Sequence, residues 1–170
     1  QLNPEDLRDV NRAYQDACKL AIERYEGYVA KYMGDGVLAY FGYPQAHEDD
    51  AERAVHAGLS IAGSVARLRQ ELDLGVRVGI ATGPVVVGDL IGEGASQESA
   101  VVGETPNLAA RLQGLAIKNT VVIGPGTHTL TGRRFEYEDL GASLLKGFAE
   151  PVQAWRVMAP VAAESRFDAT

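Results

Sequence analysis

Four segments of the sequence carry charged or amide side chains at spacings that could hold a small anionic ligand. The first is a turn, Met33-Gly34-Asp35-Gly36, in which glycines flank a carboxylate. A hard cation such as Mg²⁺ binds one or two carboxylates and completes its shell with phosphate oxygens and water, so Asp35 is a candidate metal ligand. Ordinary turn chemistry, in which an aspartate hydrogen-bonds its own backbone, explains the same residue more simply.

The other three segments carry basic and amide groups. Arg77 interrupts the apolar run 76–80, so its side chain must reach solvent or a partner. Asn107 and Arg111 are four residues apart and share one helix face, where an amide and a guanidinium can bind sugar and phosphate oxygens together. Lys146 follows two leucines and precedes a glycine. Judged singly, each is more simply explained as an exposed polar residue.

Hydrophobic spacing predicts the elements that would position these groups. Asn3-Pro4-Glu5-Asp6 has the features of a helix start, and the apolar residues that follow keep helical spacing as far as Gly27. The pattern then predicts a hairpin of strands 28–32 and 37–41, a helix over 48–72, a strand pair over 76–82 and 85–90, a strand over 100–102, a helix over 106–114, a strand over 120–123, a helix over 125–130, and strands over 135–140 and 152–157. Such alternation indicates an α/β sandwich with a mixed or antiparallel sheet.

Composition excludes several other classes of protein. A length of 170 residues indicates one domain, and a net charge of −7 disfavours binding to nucleic acid or to an anionic membrane surface. A single cysteine, Cys18, rules out an intrachain disulfide and fits a cytoplasmic protein. No apolar run approaches the roughly 20 residues of a membrane helix, so we expect no membrane contact from this segment.

Taken together, the segments match one family in order and spacing. Lys31-x-x-Gly34-Asp35, Arg77-x-Gly79-Ile80, Val102-Gly103-x-x-x-Asn107-x-Ala109-Ala110-Arg111 and Leu145-Lys146-Gly147 resemble the class III adenylyl and guanylyl cyclases of the bacterial, homodimeric type. The resemblance predicts a catalytic domain over 1–158 and a C-terminal tail over 159–170. It implies an α+β fold, with a ferredoxin-like βαββαβ sandwich and added C-terminal strands.

The resemblance also implies a reaction and a role for each residue. Such domains convert a nucleoside triphosphate to a 3′,5′-cyclic nucleotide and pyrophosphate with two Mg²⁺ or Mn²⁺ ions, and they work as homodimers whose sites lie at the subunit interface. By position, Asp35 resembles a metal ligand, Lys31 the purine-binding lysine, Arg77 a phosphate-binding arginine, Asn107 the ribose-orienting residue, Arg111 the arginine that stabilises the transition state, and Lys146 the lysine that binds the terminal phosphates. Each site would take Asp35 and Arg77 from one chain and the other four from its partner.

Two departures from the family pattern affect these expectations. The family carries its first metal aspartate on a strand before the first helix, and this sequence begins at that helix. We therefore expect that the first strand is missing, that one metal site is incomplete and that residues 1–170 alone are nearly inactive, with further domains in the full-length protein. Ala100 occupies a substrate-binding position that usually holds Asp, Thr or Ser, so it cannot hydrogen-bond the base through its side chain.

The sequence leaves alternatives for the choice of substrate and for whether the domain is catalytically active. ATP is favoured over GTP, because the residues at Lys31 and Ala100 are not a glutamate and cysteine pair suited to guanine. A guanylate cyclase is one alternative, and a degenerate cyclase-like module that dimerises or binds nucleotide in a regulatory role is another. A P-loop nucleotide-binding domain is disfavoured, because no G-x-x-x-x-G-K-[ST] motif occurs.

Overall fold

A computed structural model of the chain describes residues 3–33, 36–68, 74–87 and 104–162. The chain divides into two compact units, Gln1–Val76 and Arg77–Thr170. In neither unit does a described helix combine the length and apolar character needed to cross a membrane.

In its described residues, the first unit contains two helices and a hairpin. Its elements are α1 (Pro4–Arg24), β1 (Tyr28–Met33), β2 (Gly36–Tyr40) and α2 (Asp50–Arg67). Helix α1 begins as predicted, because the side-chain oxygen of Asn3 accepts a 2.8 Å hydrogen bond from the amide of Asp6. The predicted hairpin is also confirmed, with β1 and β2 antiparallel and Tyr28 opposite Tyr40.

A cluster of charged side chains ties the end of α1 to the start of α2. His47 lies 3.0 Å from Glu26 on one side of its ring and 3.0 Å from Asp50 on the other. Arg53 donates hydrogen bonds to Glu26 at 3.0 Å and to Asp49 at 2.8 Å. The end of the loop that leads into α2 is therefore tied to the segment that follows α1.

The described part of the second unit is built on a mixed four-stranded sheet. Its elements are β3 (Arg77–Ile80), α3 (Glu104–Leu115), β4 (Thr120–Ile123), α4 (Pro125–Thr131), a 3₁₀ turn (Gly132–Arg134), β5 (Phe135–Ser143) and β6 (Val152–Pro160). The strand order is β3-β4-β6-β5; β3 and β4 run parallel, and the other two pairs are antiparallel. The α/β architecture with a mixed sheet agrees with the prediction.

The core of this unit lies between α3 and the sheet. All four residues of β4 are buried, as expected for a central strand covered on both faces. Leu112 and Ala116 pack there against Val122 of β4 and Ala154 of β6. The face of α3 that points away from the sheet carries polar side chains, including Asn107 and Arg111.

Several predicted boundaries differ from the structure. The strand predicted over 85–90 is wrong where it is described, because residues 85–87 form no ladder and β3 pairs with β4 instead. Pro84 has no N–H to donate to a neighbouring strand, which weakens pairing next to it. Helix α2 ends at Arg67 because Leu68 is extended, with ψ of 127°. Residues 69–73 and the predicted strand over 100–102 lie outside the described residues.

Candidate active site

Gly79 of β3 sets the position of α3. A methyl group at Gly79 would overlap the carbonyl oxygen of Ala109 and the backbone of Gln113. No other residue type allows the helix backbone to come this close to the strand. The side-chain amide of Gln113 adds a polar contact, donating a 3.2 Å hydrogen bond to the carbonyl of Arg77.

Helix α3 runs antiparallel to β3. Near the start of the helix, Thr105 lies against Gly83, where an added methyl group would meet the threonine hydroxyl oxygen at 2.6 Å. Near its end, Gln113 contacts Arg77 at the beginning of the strand. The helix start therefore lies beyond the carboxyl end of β3, and its last turn lies beside Arg77.

Asn107 and Arg111 lie on the solvent side of α3. Both are exposed, whereas Leu112 is fully buried against the sheet. The structure confirms the helix that the four-residue spacing required, so the amide and the guanidinium share one face.

Lys146 projects from a closed turn between β5 and β6. The amide of Phe148 donates a 3.0 Å hydrogen bond to the carbonyl of Leu145, and Leu145 itself is buried. Gly147 has a φ of +91°, a left-handed conformation that favours glycine. The turn is thus anchored by a leucine and bent by a glycine, which leaves the Lys146 side chain exposed.

A groove brings Asn107 and the Lys146 turn together. It has a volume of about 540 Å³ and is lined by Glu104 and Asn107 of α3 and by residues 147–152. The Asn107 amide on one wall can hydrogen-bond the hydroxyl groups of a ligand, and Lys146 directly precedes the residues of the other wall. Because Glu104 and Glu150 also line the groove, an anion bound there needs compensating positive charge.

Arg77 lies apart from this groove. Arg77, like Arg111 and Lys146, is not among the lining residues, and the Arg77 carbonyl accepts a hydrogen bond from Gln113, six residues further along α3 than Asn107. At 1.5 Å of rise per residue, Asn107 and Gln113 are separated by about 9 Å along the helix axis. Within the second unit, the structure therefore brings Asn107 to the Lys146 turn and leaves Arg77 at the other end of α3.

The remaining predicted site residues lie elsewhere. Lys31 belongs to the first unit, where it is exposed on β1 and pairs with Leu38 of β2. Asp35 and Ala100 lie outside the described residues. Within the described ranges, no group of three or more His, Cys, Asp or Glu side chains is placed to hold a metal ion. The expectation of a metal at Asp35 therefore rests on the sequence motif.

Sequence reasoning missed the contact that Gln113 makes. The residue looks like one more exposed polar side chain near the end of a helix. Its spacing of four residues from Ala109, on the side of α3 that meets Gly79, is the one signal that could have indicated it.

Comparison with known proteins identifies the family. The adenylate and guanylate cyclase catalytic domain model matches residues 3–159. The crystal structure of the adenylyl cyclase CyaB from P. aeruginosa has a TM-score of 0.83 and 29% identity, covering 93% of this chain and 85% of that one. The guanylyl cyclase Cya2 has a TM-score of 0.83 and 29% identity, covering 95% of this chain and 85% of that one.

A sequence relative shows how much of a larger protein such a domain can represent. An uncharacterised protein of Rhizobium meliloti (strain 1021) is 36% identical over 166 residues, which cover 96% of this chain. The chain spans only 16% of the length of that relative. The structural matches confirm the predicted class III cyclase fold, and the family match extends over nearly the whole chain. The chain belongs to the family of adenylate and guanylate cyclase catalytic domains.

Proposed function

We propose that this chain is the catalytic domain of an adenylate cyclase, which forms 3′,5′-cyclic AMP and pyrophosphate from ATP in cyclic-nucleotide signalling. The observation that carries the proposal is the family match over residues 3–159, which includes the positions of Lys31, Asp35, Arg77, Asn107, Arg111 and Lys146. The groove that Asn107 shares with residues of the turn after Lys146 is compatible with it, because an amide can hydrogen-bond the hydroxyl groups of a ribose.

The proposed site is shared between two copies of the chain. Arg77 lies at one end of α3, whereas Asn107 lies in the groove near the other end. The separation is compatible with the homodimer that the family resemblance implies, in which Asp35 and Arg77 of one chain face Lys31, Asn107, Arg111 and Lys146 of the other. Two equivalent sites then follow from a two-fold axis.

The proposed chemistry is an in-line attack at the α-phosphorus. The ribose O3′ forms a bond to the α-phosphorus while the bond from that phosphorus to pyrophosphate breaks, and the hydroxyl proton is released. Asn107 orients the ribose, Arg111 neutralises charge that builds on the α-phosphate, and Arg77 and Lys146 hold the leaving phosphates. A divalent cation, Mg²⁺ or Mn²⁺, supplies Lewis-acid charge when bound, and Asp35 is its proposed ligand.

The choice of ATP rests on the residues at two positions. CyaB and Cya2 have the same identity to this chain, although one is an adenylyl and the other a guanylyl cyclase, so similarity does not select the base. Lys31 and Ala100 do not provide the pair suited to guanine, which favours ATP. Comparing kcat/KM for all four nucleoside triphosphates tests this choice, and a preference for another base contradicts it.

A second candidate function is a regulatory module that binds nucleotide or dimerises without turnover. Ala100 favours it, because a site that has lost a base-reading group discriminates less well. Retention of Asp35, Asn107 and Arg111 favours the enzyme. We also propose a cytoplasmic location, with which the buried free thiol of Cys18 is compatible.

One experiment separates the two functions. We expect the complete protein to form cyclic AMP from ATP with Mn²⁺ and to lose this activity in Asp35→Ala. Asp16→Ala, at an exposed position of α1, is the matched control and should remain active. Nucleotide binding without turnover in the unsubstituted protein would instead establish the regulatory module.

A further inference from the structure

We propose that Gln113 is a positioning residue that holds Arg77 in place to bind the substrate phosphates. The proposal rests on the proposed cyclase function and assigns a role to a side chain outside the family motifs. Its basis is the 3.2 Å hydrogen bond from the Gln113 amide to the Arg77 carbonyl.

Arg77 needs an anchor because of its place in the sheet. It is the first residue of β3, a strand of four residues, and among the described strands β3 pairs with β4 alone. The end of a strand of four residues frays readily. An arginine side chain also has many rotamers, so a mobile backbone beneath it would spread the guanidinium over many positions. A fixed carbonyl at Arg77 limits that spread.

Gln113 is itself held firmly enough to act as the anchor. Its backbone nitrogen and Cα lie in contact with Gly79, two residues after Arg77 on the same strand. Since side chains alternate along a strand, Arg77 and Gly79 point to the same face of the sheet, the face that α3 covers. The Gln113 amide therefore reaches Arg77 from a helix position that is fixed against the same strand.

The same contact links the two proposed active sites. In the shared-site dimer, Arg111 of one chain serves one site, and Arg77 of that chain serves the other. Helix α3 carries Arg111 and, two residues later, the Gln113 that holds Arg77. Loss of the Gln113 amide should therefore damage the site that uses Arg77 of the same chain, and leave the site that uses its Arg111.

Mixed dimers test whether loss of the Gln113 amide damages only the site that uses Arg77 of the same chain. A dimer of one Asp35→Ala and one Arg111→Ala subunit retains a single complete site, which uses Arg77 of the Arg111→Ala subunit. We expect Gln113→Met in the Arg111→Ala subunit to lower kcat/KM for ATP roughly three- to tenfold, the worth of one hydrogen bond, mainly through a higher KM. Gln113→Met in the Asp35→Ala subunit should leave the activity of the mixed dimer within about twofold.

The two mixed dimers contain the same three substitutions, so a general loss of folding lowers both equally. Gln113→Lys, which keeps a hydrogen-bond donor, should restore activity when it replaces Gln113→Met in the Arg111→Ala subunit. Equal losses in the two arrangements, or no loss in either, would overturn the positioning role. A mixed dimer that is inactive before Gln113 is changed would overturn the shared site itself, and this inference with it.

Discussion

Gly79 on β3 lies in direct contact with the backbone of Ala109 on α3, with no room between them for a methyl group. This contact determines how closely the helix that carries Asn107 and Arg111 approaches the strand that carries Arg77. Residues with proposed roles in two different sites are therefore held by one helix–strand contact within the second unit.

We expect Gly79→Ala to weaken this contact between α3 and β3. The added methyl group would overlap Ala109 and Gln113, so α3 must move away from β3, at a cost of about 1–3 kcal/mol in the free energy of unfolding. Cyclase activity should fall as well. Gly114→Ala is the matched control, because a methyl group there has no neighbour within 4 Å and a helical alanine should stabilise by about 0.5–1 kcal/mol. Chemical denaturation gives the free energy of unfolding of both variants and of the wild type. A Gly79→Ala variant as stable as the wild type would show that the contact is unimportant.

Removing the charge of Lys146 should weaken nucleotide binding. Its turn forms one wall of the groove, where Glu104 and Glu150 already oppose an anion. We expect Lys146→Met to raise KM for ATP roughly tenfold or more. Lys19→Met, at an exposed position on α1, controls for the change in net charge. An unchanged KM in Lys146→Met would remove the lysine from the proposed site.

The ion pair between Asp49 and Arg53 predicts a pH dependence of stability. The hydrogen bond from Arg53 lowers the pKa of the Asp49 carboxyl below its ordinary value of 3.8. Asp49 therefore contributes stability that is fully present above that value and is lost as pH falls through the lowered pKa in the folded protein. The unfolding temperature of Asp49→Asn should lie below that of the wild type at pH 7 and approach it below about pH 4.

The control for this effect is a change in the partner. In an Arg53→Met background, Asp49→Asn should produce a clearly smaller pH-dependent difference in unfolding temperature, because Arg53 is the main cause of the lowered Asp49 pKa. An undiminished difference would assign the lowered pKa to another group.

Restoring a polar group at position 100 should sharpen the choice of base. Ala100 has no side-chain hydrogen bond to offer, so we expect Ala100→Asp to raise the ratio of kcat/KM for ATP over GTP roughly tenfold. Ala100→Val, which adds bulk without a polar group, is the control. Equal ratios in wild type and Ala100→Asp would show that this position does not read the base.

The sequence predicted the elements well wherever local signals were strong. The N-cap at Asn3, the hairpin of β1 and β2 and the buried strand over 120–123 each follow from capping, turn or hydrophobic patterns that act over a few residues. The strand predicted over 85–90 was wrong at 85–87, because an alternating apolar pattern does not tell whether a partner strand is available.

The candidate site was predictable as a list of residues and less so as an arrangement. Ordered motifs named Asn107 and Lys146, but the groove between Asn107 and residues 147–152 depends on how the turn after β5 meets α3, which no local pattern encodes. The contact of Gln113 with Arg77 joins residues 36 positions apart and depends on the close approach at Gly79. Such contacts arise from tertiary packing.

Complementation between two inactive variants tests the central claim most directly. Asp35→Ala and Arg111→Ala subunits of the complete protein should each fail to form cyclic AMP, because each lacks one half of every shared site. Mixed in equal amounts, half of the dimers should contain one intact site, which predicts roughly a quarter of wild-type activity. A mixture as inactive as either variant alone, with dimer formation verified, would contradict the shared-site account.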